Sequence, residues 1–374
     1  YPYIKVRFKP SDDIYVTAPQ LRKWMVSFQG VPEGVALYRG LTATDSLAEG
    51  EAWTGRYAFV NVSNRDFPDS LTVQFEISNA STFVSDKGFL KIPGPIAQDT
   101  TEFSVLIPTR NHAGLNSIRS FVNPYTSREQ NFGNNVVMLN NILFVTPDTE
   151  DPVLDVTFDG RHLANDDFTS PAPEINIMVW DNNPYLLKKD TMGVIVLLSY
   201  PCAGGDCPYT RINFSRHDVT WKAETDSSEF TMEFRPENLP EGRYRLSVQA
   251  TDVNGNASGK EPFEIAFQVT HESTIALAPP FPNPFYHTTG FSFLLTGDAI
   301  PSSVNLQLLD LNGKVVYDIR HSDAKRFSIG THAITWDGVD NSGNPVPSGI
   351  YFYKLTIYRG AEQSSATGRI VLAR

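Results

Sequence analysis

Two cysteines are the residues of this chain whose type and spacing could most directly do chemistry. Cys202 and Cys207 lie in a short segment that a proline brackets on each side. A zinc site needs four ligands, and this spacing without a second cysteine pair does not supply them. A disulfide closing so short a loop would stabilise the fold by about 2 kcal/mol, by restricting the unfolded chain. We therefore expect Cys202 and Cys207 to be bonded to each other, which favours an oxidising compartment.

Other side chains that serve catalysis are scattered along the chain. The seven histidines occur singly, and both cysteines share one loop, so the sequence offers no thiolate–imidazole pair. The Gly-x-Ser-x-Gly, His-Glu-x-x-His and phosphate-loop patterns are absent from the sequence. We therefore predict no catalytic residues and no cofactor. A catalytic domain, if the protein has one, would lie upstream.

Four aspartates could be grouped as a calcium site, namely Asp166, Asp167, Asp181 and Asp252. Calcium takes six to eight oxygen ligands around one point, and a helix–loop–helix site would show alternating acids that end in glutamate. That pattern is absent here. The turn chemistry of Asp and Asn explains these positions with fewer assumptions. We therefore assign no metal-ligating residue from the sequence.

The composition argues against some classes of binding partner. The 374 residues carry a formal net charge of −11 and no cluster of Lys and Arg, which argues against nucleic acid as a partner. The longest apolar stretch without a charge, Met192–Tyr200, is too short to span a membrane as a helix. Because the sequence opens at Tyr1 without a signal peptide, we expect it to be a piece of a longer precursor.

Alternation of apolar and polar residues dominates the chain. Leu71–Ile77, Glu174–Trp180 and Tyr244–Ala250 each alternate, and each run is bounded by Gly, Pro, Asn or Asp. The 25 glycines and 26 prolines leave no window for a helix of more than two or three turns. Many short strands separated by turns indicate an all-β protein of consecutive immunoglobulin-like β-sandwiches.

Two proline-rich joints divide the chain. The first is Thr146–Pro152, and the second runs from Val269 through Thr274 to the prolines at 279, 280 and 282. Proline forces the preceding residue toward extended backbone, so both joints are expected to be short, stiff linkers. We predict three β-sandwich domains, over residues 1–147, 148–271 and 272–374.

The third domain carries several motifs in order, from Phe281–Phe285 through Leu309–Val316, Gly330–Gly338 and Asp340–Leu355 to Arg369–Leu372. Together they resemble the FlgD-type immunoglobulin-like domain and the related C-terminal sorting domains of type IX secretion. The motif residues are Pro282, Asn283, Pro284, Asp310, Gly313, Trp336, Gly338, Gly343, Gly349, Tyr351 and Tyr353. The resemblance implies a sorting or anchoring domain whose partner is the outer-membrane machinery, through a PorV-type barrel carrier. It also implies an exported protein at the cell surface, associated with the outer membrane or secreted.

Each motif also has a purely structural explanation. Asn312-Gly313 and Ser342-Gly343-Asn344 supply the positive φ that tight hairpins need. The expected core residues are Phe293, Leu306, Leu308, Trp336, Tyr351 and Tyr353, and since all lie within the segment 275–374, we expect that segment to fold alone. The alternative to a sorting domain is therefore one more stable sandwich.

Two weaker resemblances concern the rest of the chain. The Asn-rich bend Asn123–Asn135 resembles the closing hairpin of CARDB-type adhesion-like domains, so the first domain is expected to be CARDB-like. The stretch Ala18–Gly34 resembles the region after the peptidase domain in PorU-type, gingipain-like cysteine peptidases. The whole chain would then be the C-terminal, non-catalytic region of such a protein, with two spacer or docking domains.

Two rival functions remain at this point, and one of them is a flagellar or other appendage scaffold. The other is a carbohydrate-binding or adhesive module, which needs a flat strip of exposed aromatic side chains. Trp24, Trp53, Trp180 and Trp221 could form that strip if they face solvent.

Overall fold

The protein, described by a computed structural model, is built of β-strands. The structure describes residues 5–15, 21–23, 25, 30–40, 45–205, 207–298, 300–321 and 327–374. Trp24, with most of the segment 18–29, lies outside the described residues. Within these ranges there are 24 strands, and the one helix is a three-residue 3-10 turn at Gly133–Asn135. The all-β prediction is confirmed.

The first sandwich comprises eight strands in two sheets. They are β1 (Gly34–Tyr38), β2 (Asp45–Ala48), β3 (Trp53–Asn61), β4 (Ser70–Asn79), β5 (Ser85–Pro93), β6 (Thr100–Ile107), β7 (Gly114–Val122) and β8 (Val136–Thr146). The smaller sheet has the order β1-β3-β6 and the larger has the order β2-β8-β7-β4-β5. Their inner faces bury Trp53, Tyr57 and Ile118, among other side chains.

The second sandwich comprises nine strands. They are β9 (Val153–Phe158), β10 (Asp167–Thr169), β11 (Ile175–Trp180), β12 (Ile195–Ser199), β13 (Tyr209–Arg211), β14 (Val219–Ala223), β15 (Phe230–Phe234), β16 (Gly242–Gln249) and β17 (Phe263–Val269). One sheet has the order β14-β15-β11-β9 and the other β10-β17-β16-β12-β13. The alternation on β11 buries Ile175, Ile177 and Val179, as the sequence predicts.

The third sandwich comprises seven strands. They are β18 (Ile275–Leu277), β19 (Thr289–Leu295), β20 (Ser303–Leu309), β21 (Val315–His321), β22 (Gly330–Trp336), β23 (Gly349–Arg359) and β24 (Glu362–Leu372). Its sheets have the orders β18-β19-β22 and β21-β20-β23-β24. The short β18 lies inside the second proline-rich joint and pairs with β19. The six core residues expected from the sequence are all buried in this sandwich.

The described chain divides into two compact units. One contains residues 1–47 and 51–146, and the other contains residues 48–50 and 147–374. The second and third sandwiches therefore belong to one unit, and side chains join them. Arg161 Nη1 donates to Asp167 Oδ2 at 2.8 Å and its Nε donates to Ser328 Oγ at 3.1 Å. Thr331 Oγ1 donates to Asp167 Oδ1 at 2.9 Å, and Phe168 packs against the core of the third sandwich.

The two cysteines lie in the loop between the paired strands β12 and β13. Their Sγ atoms are bonded, and their Cα atoms lie 5.7 Å apart. The Cys207 carbonyl accepts a hydrogen bond of 2.9 Å from Ser199 Oγ. Among the described residues, no helix is long and apolar enough to cross a membrane.

Candidate recognition surface of the C-terminal sandwich

The Asp-Leu-Asn-Gly motif is a tight turn between β20 and β21. One carboxylate oxygen of Asp310 accepts the backbone N–H groups of Asn312 at 2.8 Å and Lys314 at 2.9 Å. Gly313 has φ +80°, which a side chain would disfavour. Asp310 and Gly313 therefore stabilise a hairpin turn.

The Asp-Asn-Ser-Gly-Asn motif repeats this arrangement after β22. Asp340 Oδ1 accepts the N–H groups of Ser342 at 2.8 Å and Asn344 at 2.9 Å, and Gly343 occupies the left-handed position. The backbone N–H of Asn344, followed by that of Ser342, holds the pKa of the exposed Asp340 carboxyl below its usual value. This motif also sets a turn.

The aromatic motif residues form the core of the third sandwich. Trp336 is 1% exposed, and its indole N–H donates to the Val339 carbonyl at 2.8 Å. Its ring lies edge-on to Tyr351, with the centroids 5.7 Å apart. Tyr353, also buried, lies edge-on to Phe291 at 5.0 Å. These contacts are those of large core residues whose polar ends find a partner.

A Pro-x-Gly-x-Tyr segment occurs in both the second and the third sandwich. Tyr351 OH donates to the Pro347 carbonyl at 2.6 Å, and Tyr244 OH donates to the Pro240 carbonyl at 2.8 Å. Each tyrosine is the third residue of its strand, β23 or β16. This is the tyrosine corner of immunoglobulin-like sandwiches. Because the second sandwich has the same corner, the motif residues Gly349 and Tyr351 have a structural role that both sandwiches share.

The Pro-Asn-Pro-Phe segment holds the end of the last strand. Its Phe281-Pro282 and Asn283-Pro284 peptide bonds are cis. Asn283 Oδ1 accepts the N–H of Val371 at 2.9 Å, and Phe285 N donates to the Val371 carbonyl at 3.0 Å. The C-terminal end of β24 is therefore bound on both sides, although β24 is an edge strand.

The last residue is held by the turn after β22. Arg374 Nη2 donates to the Asp337 carbonyl at 2.7 Å, and Arg374 N donates to Ser348 Oγ at 3.0 Å. Gly338, with φ +73°, lies so close that a Cβ there would be 2.8 Å from Arg374 Nη2. Glycine at this position therefore leaves room for the Arg374 side chain.

An apolar strip crosses the outer face of the sheet that contains β23. We call it the outer patch, and it comprises Leu309, Val315, Ile350, Phe352 and Val371. Cross-strand pairing sets Phe352 opposite Leu309, Leu309 opposite Val315, and Ile350 opposite Val371, so the five share one face. Val315, Ile350 and Phe352 are 42%, 43% and 47% exposed, and the other two are half-buried.

The corresponding face of the second sandwich is charged. When the two tyrosine corners are aligned, Arg243 takes the place of Ile350, and Arg245 takes the place of Phe352. Arg243 is bound to Asp166 at 2.5 Å, and the Arg245 guanidinium lies over the Tyr209 ring at 5.3 Å. The apolar outer patch is therefore not a general feature of these sandwiches.

β24 forms one edge of the same sheet. It pairs with β23 along its whole length, from Leu372 opposite Gly349 to Glu362 opposite Arg359. On its other side, the described residues provide one bridge, between Phe285 and Leu372. Asn283 and Phe285 also bond to the backbone of Arg369 and Val371 on that edge. Among the described residues no bridge covers the edge from Glu362 to Gly368, where another chain could pair with it.

Among the described residues, Trp53, Trp180 and Trp221 do not form an aromatic strip. Trp53 is 3% exposed and lies in the core of the first sandwich. Trp180 alternates with the buried Val179 and lies on the outer face of β11, whereas Trp221 lies opposite the buried Met232 and stacks on Phe230 at 5.8 Å. Trp180 and Trp221, both 44% exposed, therefore point to opposite faces of one sheet.

The two cysteines and two of the histidines weighed for catalysis have structural partners. Both cysteines are in the disulfide, so neither supplies a thiolate. His112 is fully buried, with its Nε2 2.9 Å from Asp86. His332 Nε2 contacts the Ser328 carbonyl at 2.6 Å, and burial lowers its pKa.

The match to a protein family lies in the third sandwich. Residues 286–361 match the family model described as the FlgD Ig-like domain. No curated protein matches the chain. The dimeric latent PorU from Porphyromonas gingivalis is similar at 14% identity and TM-score 0.26, over 92% of this chain and 34% of that one. The chain therefore spans about a third of the length of that structure.

Two animal proteins are similar to the same degree. The chicken CNTN1 FN1-FN3 domains have 9% identity and TM-score 0.21, covering 92% of this chain and 100% of theirs. A marsupial T cell receptor has 10% identity and TM-score 0.21, covering 90% and 99%. At such scores these likenesses carry no argument about function.

The sequence analysis missed the outer patch, although a signal for it was present. Aligning Pro240–Tyr244 with Pro347–Tyr351 would have exposed the exchange of two arginines for an isoleucine and a phenylalanine. The motif residues were found because glycine, proline and aromatic residues stand out. Exposed apolar residues on an alternating strand do not stand out in this way.

Proposed function

We propose that the third sandwich is a type IX sorting domain and that its outer patch is the surface bound during export. The first two sandwiches are spacer or docking domains of the exported protein. The observation that carries this proposal is the outer patch, which is apolar where the related second sandwich has arginines. The ordered motifs and the FlgD-type family match support the same assignment.

The outer patch suits a protein partner for physical reasons. Three apolar side chains on it are more than two-fifths exposed, and burying apolar surface is favourable by about 25 cal/mol per Å². Contiguous exposed apolar surface on a soluble domain commonly marks a binding site. Arg369, the pairing partner of Phe352, provides a polar margin beside the patch.

The edge strand gives a second point of attachment. The edge of β24 from Glu362 to Gly368, which has no bridge among the described residues, lies on the strand that carries Val371 of the patch. A partner could therefore pair with this edge and cover the outer patch at the same time. We propose that the partner is the outer-membrane machinery, through a PorV-type barrel carrier, and that the exported chain resides at the cell surface.

A secretion assay tests the proposal. The full chain 1–374 is fused behind a periplasmic signal and a fluorescent protein, and surface fluorescence is measured in a type IX-competent strain. The double variant Ile350→Arg/Phe352→Arg introduces residues that the second sandwich carries at the same positions, so we expect it to fold. We expect the parent fusion to reach the surface. The double variant should show at least a tenfold lower surface fluorescence.

The matched control is Phe89→Arg, which also replaces an exposed phenylalanine on a strand of this chain, 65% exposed. It should leave export unchanged. Retention of the parent fusion in the periplasm would overturn the sorting assignment. Export of the double variant at the parent level would overturn the role of the outer patch.

A further inference from the structure

Three carboxylates from distant parts of the sequence meet at one end of the second sandwich. Asp148 comes from the predicted linker before β9, Asp181 follows β11, and Asp252 follows β16. One carboxylate oxygen of each lies within 4.8 Å of those of the other two. All three residues belong to the same compact unit. The two other acids weighed in the sequence, Asp166 and Asp167, are held instead by Arg243 and Arg161.

The central carboxylate is buried without a full set of partners. Asp181 is 7% exposed, and its Oδ1 accepts the Asn183 N–H at 2.7 Å. Its Oδ2 is buried and has no hydrogen-bond partner among the described residues. Burial, and then the charges of Asp148 and Asp252, raise the pKa of Asp181. Burying a carboxylate oxygen away from water without a partner is costly, so this position favours a cation or a hydrogen-bond donor.

The other two carboxylates are oriented by amide side chains. Asn183 Nδ2 donates to Asp148 Oδ2 at 2.8 Å, and Asn256 Nδ2 donates to Asp252 Oδ2 at 2.7 Å. Asp252 Oδ1 also accepts the N–H groups of Gly255 at 2.6 Å and Asn256 at 2.8 Å, which occupy both of its lone pairs. Asp252 Oδ2 and the carboxylate of Asp148 keep lone pairs for a metal. Hydrogen bonds that hold ligating carboxylates in place are typical of metal sites.

The neighbouring charges leave the cluster strongly negative. Lys188 is buried, and its ammonium interacts with Asp190 and Asp252, but it donates its short hydrogen bond to the Met192 carbonyl. A further buried carboxylate, Glu49, accepts the Asp148 N–H at 3.2 Å. Among the described residues, Lys188 is therefore the ammonium beside the three carboxylates.

We propose that Asp148, Asp181 and Asp252 bind one calcium ion. The donors are all carboxylate oxygens, which select a hard cation, whereas zinc takes histidine and cysteine. Oxygens bound to one Ca²⁺ at about 2.3–2.6 Å can lie up to about 5 Å apart, which matches the spacing of these three. Three carboxylates, some of them bidentate, and water complete the six to eight ligands of calcium.

Calcium titration of the metal-stripped chain 1–374 tests the site. The melting temperature and the heat of binding are measured with calcium chloride up to about 10 mM, since calcium sites of extracellular modules bind at about 10⁻⁴–10⁻³ M. We expect calcium to raise the melting temperature of the parent chain. Asp181→Asn should weaken the affinity at least tenfold.

The sign of the change that Asp181→Asn makes to the melting temperature distinguishes a metal ligand from a structural residue. In chelator, the variant should melt at or above the parent, because it loses an unpartnered buried charge. In calcium, the parent should melt above the variant. A structural aspartate would give the same sign in both conditions, and that result would overturn the proposal.

Two further variants complete the design. Asp148→Asn, on the less buried ligand, should also lose the calcium response, so the test does not depend on how well Asp181→Asn folds. Asp166→Asn, a matched change outside the cluster in the same sandwich, should keep the response. No response in the parent, an equal response to magnesium chloride at matched ionic strength, or a response kept by both cluster variants would overturn the proposal.

Discussion

The buried hydroxyl groups of Tyr244 and Tyr351 determine the same bend in two sandwiches. Each hydroxyl closes a hydrogen bond to a proline carbonyl four residues upstream, where the chain enters a central strand. Burial raises the pKa of Tyr244 to about 12 and that of Tyr351 above its usual value, so both remain neutral donors. Proline sets the extended backbone and glycine allows the turn into the strand.

Removing either hydroxyl should destabilise the second unit. Tyr351→Phe and Tyr244→Phe each leave a proline carbonyl without its partner, and we expect each to lower the free energy of unfolding by about 1 kcal/mol. Urea denaturation of the full chain measures the change. Tyr286→Phe, on a tyrosine that is 65% exposed, is the control and should have no effect. Equal stability of all four proteins would contradict the role assigned to the corner.

At the scale of elements, the strands were predictable but the contact between the second and third sandwiches was not. Alternation in Glu174–Trp180 and Tyr244–Ala250 identifies strands because each side chain's face follows from its position in the run. The contact between Asp167 and Thr331 joins residues 164 positions apart. No local pattern marks such a pair. Phe168 of the second sandwich packs against the core of the third sandwich. The segment 275–374 would therefore lose this contact if it were produced alone.

The Arg161–Asp167 contact should make stability depend on pH. Burial alone would raise the pKa of Asp167, but hydrogen bonds from Arg161, the Phe168 N–H and Thr331 outweigh it and lower the pKa. The folded pKa is thus below the unfolded value of about 3.9. The stabilisation is therefore present above that unfolded value, and it is lost as the pH falls through the folded pKa.

We expect Asp167→Asn to lower the free energy of unfolding by about 2 kcal/mol at pH 7, because it removes charged hydrogen bonds from a buried position. The difference from the parent should shrink as the pH falls below about 4. Urea unfolding between pH 7 and pH 2.5 measures it. Asp166→Asn, which changes the adjacent and more exposed aspartate, should lower the free energy of unfolding far less. A loss that stays constant over this range would contradict the assignment.

At the scale of the whole molecule, three β-sandwiches carry their distinctive features at different places. The disulfide and the acidic cluster lie in the second sandwich, and the outer patch lies in the third. The sequence predicted the all-β fold, but not the outer patch or the meeting of Asp148 with Asp181 and Asp252. Both depend on which strands lie next to each other in the fold. Residues that are far apart along the chain give no local sign of that.

Photo-crosslinking from the outer patch tests the central claim most directly. A photoreactive phenylalanine analogue replaces Phe352 in the full chain. In a parallel protein it replaces Phe89 on the first sandwich, which is more exposed than Phe352. Both are expressed in a type IX-competent strain and irradiated during export. We expect position 352 to give a covalent adduct with an outer-membrane barrel protein, and position 89 to give none. The account would be contradicted by the same adduct from both positions, or by no adduct from position 352 in cells that export the chain.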